Sequence, residues 1–234
     1  MKKLIALFLA MTMLLAFAGC EEKPTFDPAA KSEGVMTYTQ YEAAELKSEV
    51  VIEAYVQAHQ DWWENKITVY AQDPDGAYFI YEMACSEADA AKLTPGTKIK
   101  VTGYKAEWDG EVEIVDATFE FVESEKWTAE AMDATALLGT DDLIKHQNKF
   151  ACFKGLTIAS ISYKNDEPGD DIYVDVTIND KTYSFCVERY LTGPDTDVYK
   201  AFAELKAGDK VDIEGFLYWY NGVNTHITSV KKAA

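Results

Sequence analysis

Histidine, the residue most often used for general acid–base catalysis, is rare in this chain. Its three histidines, His59, His146 and His226, lie in unrelated segments, and no GxSxG, HExxH, CxxC or phosphate-loop pattern occurs. A nucleophilic Ser, Cys or Thr needs a base beside it, and a zinc site needs His and Cys at close spacing. We therefore predict no catalytic residue, no metal site and no cofactor, and we do not expect an enzyme.

Two acidic stretches contain the oxygen ligands that calcium prefers. They are Asp73-Pro74-Asp75-Gly76 and residues 166–171, which read DEPGDD. Calcium takes six to eight oxygens at defined positions, and neither stretch has the spacing of the twelve-residue EF-hand loop. Asp, Pro and Gly each favour tight turns, so both stretches are predicted to be turns.

The first nineteen residues have the three zones of a secretory signal. Lys2 and Lys3 give a positive start, residues 4–17 are almost wholly apolar, and Ala18-Gly19 supplies small side chains before Cys20. The apolar run is shorter than the roughly 20 residues that cross a bilayer. This order predicts export, with an ordinary signal peptide or an uncleaved anchor with an incidental Cys as the alternatives.

The FAGC ending of that segment resembles the lipobox of bacterial lipoproteins. The resemblance implies that the signal peptide 1–19 is removed and that Cys20 receives a diacylglycerol and palmitate-type anchor. The protein would then be held on the outer side of the cell membrane. Residues 20–34 are polar, carry two prolines and show no apolar periodicity, so they are predicted to be a flexible tether.

Net charge limits the partners. The chain has 22 basic and 40 acidic residues and a net charge of −18, and removal of residues 1–19 takes away two lysines, Lys2 and Lys3. Nucleic-acid-binding proteins obtain most of their affinity from basic side chains that neutralise phosphates, and no basic stripe is visible. The charge therefore disfavours nucleic acid and close contact with anionic lipid.

Three cysteines follow Cys20. They are Cys85, Cys152 and Cys186, and an odd number cannot all pair within the chain. An exported protein permits a bridge between Cys152 and Cys186, but both lie in apolar, strand-like sequence. Buried free thiols, which pack as small hydrophobic groups, are the favoured interpretation.

An internal repeat divides the remaining chain in two. Residues 93–110 read LTPGTKIKVTGYKAEWDG, and residues 205–222 read LKAGDKVDIEGFLYWYNG. At a constant offset of 112, leucine, lysine, three glycines and two β-branched residues coincide. The alternation of apolar and polar residues predicts a strand, and Asp109-Gly110 and Asn221-Gly222 predict hairpin turns.

The flanking sequence predicts the same element order twice. In the first half, strands are predicted over 49–60, 66–72, 77–83, 98–107 and 111–118. A short helix capped by Ser86 and running through Leu93 is predicted before the fourth. In the second half, strands are predicted over 150–163, 172–178 and 182–188, with a helix near 197–205 before the repeated block. Helical lead-ins are predicted near 39–47 and near 128–138 or 141–147.

This order resembles the OB-fold, a five-stranded Greek-key barrel with a helix between strands three and four. The LxxGxKIxVxG block is similar to the fourth strand of nucleic-acid-binding, tRNA-anticodon-like OB-folds. The resemblance implies a mainly β protein with two tandem five-stranded barrels, one over 35–124 and one over 125–234. An immunoglobulin-like sandwich is the alternative, but it does not require a helix inside each unit.

Aromatic residues cluster where the OB-fold resemblance places its ligand-binding loops. Flat rings there can stack on a base or a sugar, whereas the alternative is that they close the ends of the barrels. Lys66 and Tyr70 share the face of the second strand opposite Ile67, Val69 and Ala71. Lys98, Lys100 and Lys105 are predicted on outer faces. Together with Lys66 they form either a local basic patch or ordinary edge and outer-face lysines that discourage sheet aggregation. The candidate ligand-binding residues are Trp62, Trp63, Lys66, Tyr70, Trp108, Trp219 and Tyr220.

Two functions are compatible with these predictions. The first is a non-catalytic envelope protein that binds an oligosaccharide, a peptide or protein, or single-stranded nucleic acid through its OB faces. The second is a scaffolding lipoprotein whose barrels pack against partner proteins. Nucleic acid is implied by the fold resemblance but disfavoured by charge and by location outside the cytoplasm.

Overall fold

The chain is mainly β, and the computed structural model describes residues 26–233. Residues 1–19 and Cys20, on which the signal-peptide and lipid predictions rest, lie outside the described residues. The strands of the first half are β1 (Glu49–His59), β2 (Lys66–Gln72), β3 (Ala77–Ala84), β4 (Lys98–Trp108) and β5 (Glu111–Phe121). Each predicted strand of this half is therefore present, within one to three residues at its ends.

These five strands form a closed barrel in the order β1-β2-β3-β5-β4. β3 pairs with β5 in parallel, while the other neighbours are antiparallel and β1 closes on β4. Inward residues such as Ile52, Val69, Ile80 and Val101 are fully buried and form one apolar core. The alternation predicted for β2 is confirmed, because Ile67, Val69 and Ala71 belong to that core.

Two short helices accompany the first barrel. The helix α1 (Tyr38–Ala43) begins with a capping box, in which the Thr37 hydroxyl accepts from the Gln40 amide. The helix α2 (Glu87–Ala90) lies between β3 and β4, and its amide at Asp89 donates to Ser86 Oγ, as the sequence predicted. It ends after one turn, which is shorter than the helix predicted to run to Leu93.

The second half has its own sheet. Its strands are β6 (Met132–Asp133), β7 (Phe150–Tyr163), β8 (Ile172–Ile178), β9 (Lys181–Val187), β10 (Lys210–Phe216) and β11 (His226–Lys232). The order is β10-β11-β9-β8-β7-β6, with an additional pairing of β10 with β7. The β7 to β11 pairings thus repeat those of β1 to β5, including one parallel neighbour pair, β9 with β11. The helix α3 (Asp197–Phe202) lies between β9 and β10, at the place predicted.

The lead-in of the second half differs from the predicted helix. Residues 128–138 contribute β6 and a 3₁₀ turn at Thr135–Leu137, and Leu143–His146 forms a second 3₁₀ turn. Gly139, with φ of 84°, separates them. Its left-handed backbone interrupts any continuous helix here.

The repeated glycine of the two blocks has one structural role in both halves. Gly103 and Gly215 each lie at an irregularity in the register with the following strand. A Cβ on Gly103 would lie 2.7 Å from Ile114 Cγ2 and 2.8 Å from the Val115 carbonyl oxygen. A Cβ on Gly215 would overlap the His226 carbonyl. Both glycines therefore permit the close backbone approach at the bend that the sequence predicted.

The segment before the first barrel is docked rather than free. Lys31 Nζ forms an ion pair with Asp73 and donates to the Glu53 carbonyl at 2.6 Å. Lys98 Nζ donates to the Ala30 carbonyl at 2.7 Å. In the described residues 26–34, these contacts differ from the flexible tether predicted over 20–34, because the buried carboxylate of Asp73 supplies a partner for Lys31.

Two lysines predicted to face solvent are buried. Lys98 lies 3.1 Å from Glu53 Oε2 and is covered by the docked segment. Lys105 Nζ donates to the carbonyls of Tyr41, Glu42 and Ala44 at 2.8–3.0 Å, at the end of α1 where carbonyls lack helical partners. The proposed basic patch is therefore wrong for these two residues.

The cysteines and the acidic stretch at residues 73–76, predicted to be a turn, have structural roles. Cys85, Cys152 and Cys186 are free and buried. The carboxylate of Asp73 accepts from the amides of Asp75 and Gly76 at 2.7 and 3.0 Å, which makes this stretch a turn. Within residues 26–233, no helix is long and apolar enough to cross a membrane, and no group of three or more potential ligands is placed to hold a metal.

An apolar cluster joins the two halves. Tyr70 and Phe79, on the outer face of the first barrel, pack against Phe216 of the second half. The rings of Tyr70 and Phe216 are stacked with centroids 4.5 Å apart. The Phe150 amide also donates to Gln72 Oε1 at 2.9 Å. The outer face of β2 and β3 is thus partly covered by the second half.

Candidate functional site

A groove of about 1400 Å³ lies between the two halves. Its first wall is the outer face of β2 and β3 with the loop between β1 and β2. Its second wall is formed by residues after β9 and around β11. Nine aromatic side chains line it, namely Trp62, Trp63, Phe79, Tyr81, Trp108, Tyr173, Tyr190, Tyr218 and Tyr220.

The neighbouring tryptophans of the β1–β2 loop have different environments. Trp62 is half-buried against the first core, and its Nε1 donates to the Cys85 carbonyl at 2.9 Å. Trp63 is 72% exposed on the groove. Its backbone pairs with Lys66 in both directions, at 2.9 and 3.0 Å, which fixes the loop. Trp62 therefore serves packing, and Trp63 presents a free ring.

The two repeated hairpins meet beside the groove. The Asn221 amide donates to the Asp109 carbonyl at 2.8 Å. Trp108 and Tyr220, which occupy corresponding places in the two repeats, lie with ring centroids 6.1 Å apart in an edge-to-face arrangement. Both rings are more than half exposed. One aromatic ring from each half is thus held beside the other at the groove.

A second contact joins the two halves at the β1–β2 loop. The Asp61 amide donates to the Tyr190 carbonyl at 2.8 Å. The turn that carries Tyr190 is held by Glu188, whose Oε2 accepts from the amides of Tyr190 and Leu191 at 3.1 and 2.9 Å. Tyr190 is exposed, and the Arg189 guanidinium lies 5.0 Å from its ring centroid.

Two predicted ligand residues are inaccessible. Tyr70 points away from the first core, as predicted, but is only 1% exposed because Phe216 and His226 cover it. Trp219 is 8% exposed and belongs to the second core, and its amide donates to Glu111 across the interface at 2.9 Å. Both predictions are corrected, because packing between the halves occupies these side chains.

The remaining predicted residues, Trp62, Trp63, Lys66, Trp108 and Tyr220, all line the groove. Lys66 forms an exposed ion pair with Glu82 at 2.7 Å. Sequence reasoning did not identify Phe79, Tyr81, Glu113, Tyr190 and Tyr218 as groove residues. Side chains alternate between the two faces of β3, which places Phe79 and Tyr81 on the outer face. Strand alternation in the sequence could therefore have identified these two residues. The contributions of the second half depend on how the halves pack.

The groove is acidic. Six carboxylates line it against three side chains that are always cationic. Each of these cations already has an acidic neighbour, in the pairs Lys66–Glu82, Lys164–Asp171 and Arg189–Asp170. Desolvation raises the pKa of Glu188 to about 7 and also raises that of Glu113. This environment repels a polyanion and favours a neutral or cationic ligand.

A histidine and a cysteine adjoin one another in the groove wall. His226 and Cys186 are register partners on β11 and β9. Burial lowers the pKa of His226 to about 3, and its Nδ1 is hydrogen-bonded to the Tyr70 hydroxyl at 2.5 Å. Burial also raises the pKa of the Cys186 thiol. A thiol held protonated beside an imidazole engaged elsewhere is not activated as a nucleophile.

Comparisons with known proteins find solved structures of low similarity. No protein-family model matches the chain, and no curated protein matches it. A murine DNA-binding protein bound to double-stranded DNA aligns at 16% identity over 79% of this chain and 96% of that chain, with a TM-score of 0.36. The p204 HINb domain aligns at 12% identity over 81% and 99%, also with a TM-score of 0.36.

A replication protein A heterotrimer bound to single-stranded DNA aligns at 9% identity over 80% of this chain and 49% of that chain, with a TM-score of 0.32. TM-scores of this size carry no argument about function.

Proposed function

We propose that this chain is a non-catalytic envelope lipoprotein that binds an extended oligosaccharide in the groove between its halves. One observation carries the proposal: the groove holds exposed aromatic rings from both halves, namely Trp63 and the neighbouring pair of Trp108 and Tyr220. Small-ligand and polymer sites are typically concave, apolar and aromatic with a few polar groups. The faces of pyranose rings are apolar and stack on such side chains.

We infer that both halves are OB-type barrels in tandem. The support is the repeated pairing order, with β1 to β5 matched by β7 to β11 and one parallel neighbour pair in each. In an OB-fold, the second and third strands and the loops 1–2 and 4–5 bind the ligand. Most groove residues of the first half come from these elements, and the others come from the segment around α2 and from Glu113 on β5.

The acidity of the groove supports a sugar ligand over nucleic acid. A nucleic acid would bring phosphates to a groove whose cations are already paired with carboxylates. Carboxylates in a carbohydrate site accept hydrogen bonds from hydroxyl groups, which needs no exchange of charge. An oligosaccharide thus fits both the aromatic rings and the acidic side chains.

Membrane anchoring through Cys20 is part of the same proposal and rests on the signal-like sequence before it. Expression with a labelled fatty acid should give a labelled protein in the membrane fraction, and Cys20→Ser should lose both label and membrane association. Persistence of the label in Cys20→Ser would contradict lipidation at this residue.

The binding proposal is tested with the full-length protein on an array of envelope oligosaccharides. Trp63→Ala and Trp108→Ala should each weaken binding by about 1–3 kcal/mol, the usual contribution of one stacked ring. Tyr104→Ala is the matched control, because Tyr104 is exposed but outside the groove. Unchanged binding in both tryptophan variants, or tight binding of single-stranded DNA at low salt instead, would overturn the proposal.

A further inference from the structure

Glu113 is a buried carboxylate without a partner in the described part of the chain. It lies on the outer face of β5, lines the groove and is 7% exposed. Among residues 26–233, neither a cationic side chain nor a hydrogen-bond donor contacts its carboxylate, and burial is the one cause that raises its pKa. Isolating a carboxylate in this way is costly unless a counter-charge reaches it.

Aromatic rings surround this carboxylate on the groove side. Phe79 is its register partner on β3, so the two side chains lie on the same face of the sheet. Tyr81 follows two residues later on that face. Tyr218 of the second half packs edge-to-face on Phe79, with centroids 5.1 Å apart. Desolvation is the main cause that raises the pKa of Tyr81 and of Tyr218, and the charge of Glu113 adds to the shift in both.

We propose that Glu113, Phe79, Tyr81 and Tyr218 form a subsite for one protonated primary amine, and that the groove binds an oligosaccharide containing unacetylated amino sugars. The inference rests on the proposed oligosaccharide function and specifies its ligand. An ammonium group beside Glu113 forms a charge-assisted hydrogen bond. The surrounding rings attract the same cation through their faces.

The sheet geometry favours a sugar over a lysine-containing peptide as the bearer of this amine. Peptides that bind β-proteins in extended form usually add a strand to a free sheet edge. At the groove, β2 is already paired with β1 and β3, and β3 with β2 and β5. The first wall of the groove, formed by β2 and β3, therefore offers ring faces and carboxylates and has no open strand edge for a peptide backbone.

The test compares two ligands that differ only in acetylation. Calorimetric titration of the full-length protein with glucosamine hexamer and N-acetylglucosamine hexamer, at about 0.15 M salt to screen the general negative charge, should show the free amine bound at least about tenfold more tightly. Glu113→Gln should abolish this preference and retain binding of the acetylated hexamer. Glu120→Gln on the same strand is exposed and outside the groove, and it should retain the preference.

The outcomes separate the subsite from the proposed function. Equal binding of the two hexamers, or a preference that survives Glu113→Gln, would overturn the amine subsite while leaving oligosaccharide binding in place. Binding of neither hexamer would overturn the amino-sugar subsite, and the oligosaccharide array decides the proposed function separately. A lysine hexamer that binds in a Glu113-dependent manner while the glucosamine hexamer does not would reject the sugar and identify a peptide ligand. Equal losses in Glu113→Gln and Glu120→Gln would show general charge attraction and would also overturn the subsite.

Discussion

Tyr70 of the first half and His226 of the second half share a buried hydrogen bond, with Tyr70 Oη 2.5 Å from His226 Nδ1. Both side chains are almost fully enclosed, Tyr70 by the ring of Phe216 and His226 by the ring of Tyr218. The pair connects the outer face of β2 with the first residue of β11. It therefore holds the two groove walls together by a directional contact.

The first prediction concerns this hydrogen bond. Tyr70→Phe keeps the stack on Phe216 but leaves His226 Nδ1 buried without its partner. We expect the free energy of unfolding to fall by about 1–3 kcal/mol, the usual cost of an unsatisfied buried polar group. Urea unfolding followed by tryptophan fluorescence measures the change.

Tyr183→Phe is the matched control for this prediction. The Tyr183 hydroxyl is itself buried and has no hydrogen-bond partner among the described residues. Removing that hydroxyl should leave stability unchanged or raise it. A loss in Tyr183→Phe equal to that in Tyr70→Phe would show that the hydroxyl itself, and not its bond to His226, determines the effect.

The second prediction concerns the carboxylate of Glu111 at the interface. It is fully buried, its Oε2 accepts from the Trp219 amide at 2.9 Å and from Gln147 at 3.2 Å, and its Oε1 has no partner in the described chain. Desolvation is the main cause that raises its pKa to about 8. The folded protein therefore retains a proton that the unfolded chain releases above its ordinary pKa of about 4.3.

It follows that Glu111 favours folding fully at low pH and that this contribution is lost as pH rises through about 8. Glu111→Gln cannot titrate, so its stability relative to the wild type should increase by roughly 2–4 kcal/mol between about pH 5 and pH 8. Urea unfolding at both pH values measures the difference. Glu120→Gln, at an exposed position, should show no such trend, and a flat difference for Glu111→Gln would contradict the prediction.

The third prediction concerns the repeated glycine. Gly103→Ala places a Cβ 2.7 Å from Ile114 Cγ2 and 2.8 Å from the Val115 carbonyl oxygen. We expect the free energy of unfolding to fall by about 1–3 kcal/mol or more, because the backbone must move to make room for the Cβ where β4 approaches β5. Gly215→Ala should be at least as costly, since its Cβ would overlap the His226 carbonyl.

Thr102→Ala provides the comparison for Gly103→Ala, because it changes the neighbouring outward position of the same strand. Thermal unfolding of both variants separates crowding from a general effect of alanine in β4. If Gly103→Ala proved as stable as Thr102→Ala, the close approach to β5 would not explain why glycine occurs here in both repeats.

The sequence predicted the strands well because their signals are local. Period-two alternation, the Asp109-Gly110 turn and the Ser86 cap each act within a few residues, and each is confirmed. The helix predicted near 128–138 did not form because the pairing of Met132 and Asp133 with β7 outweighs local propensity. Tertiary pairing of this kind is not visible in a short window.

The site was less predictable because it forms between distant parts of the chain. Strand parity correctly placed Tyr70 on the outer face of β2, but nothing local indicates that Phe216, far along the chain, covers it. The same limit applies to Lys98, whose partners Glu53 and Ala30 lie in separate segments. Residue type and strand alternation predicted candidate ligand-binding residues. Packing between the halves determines which of these residues remain accessible.

The fourth prediction separates the adjacent tryptophans of the β1–β2 loop. Trp62 packs on the first core and donates to the Cys85 carbonyl, so Trp62→Ala should lower the free energy of unfolding by roughly 2–4 kcal/mol. Trp63 is mostly exposed, so Trp63→Ala should change stability by less than about 0.5 kcal/mol.

Ligand binding should show the opposite pattern. If the oligosaccharide stacks on Trp63, then Trp63→Ala weakens binding at unchanged stability, whereas Trp62→Phe, which keeps an apolar ring against the core, retains binding. Unfolding and calorimetric titration on the same preparations measure both quantities. Weaker binding in Trp63→Ala together with a matching loss of stability would mean that Trp63 supports the loop, and the aromatic contact with ligand would then have to come from the paired Trp108 and Tyr220 rings alone.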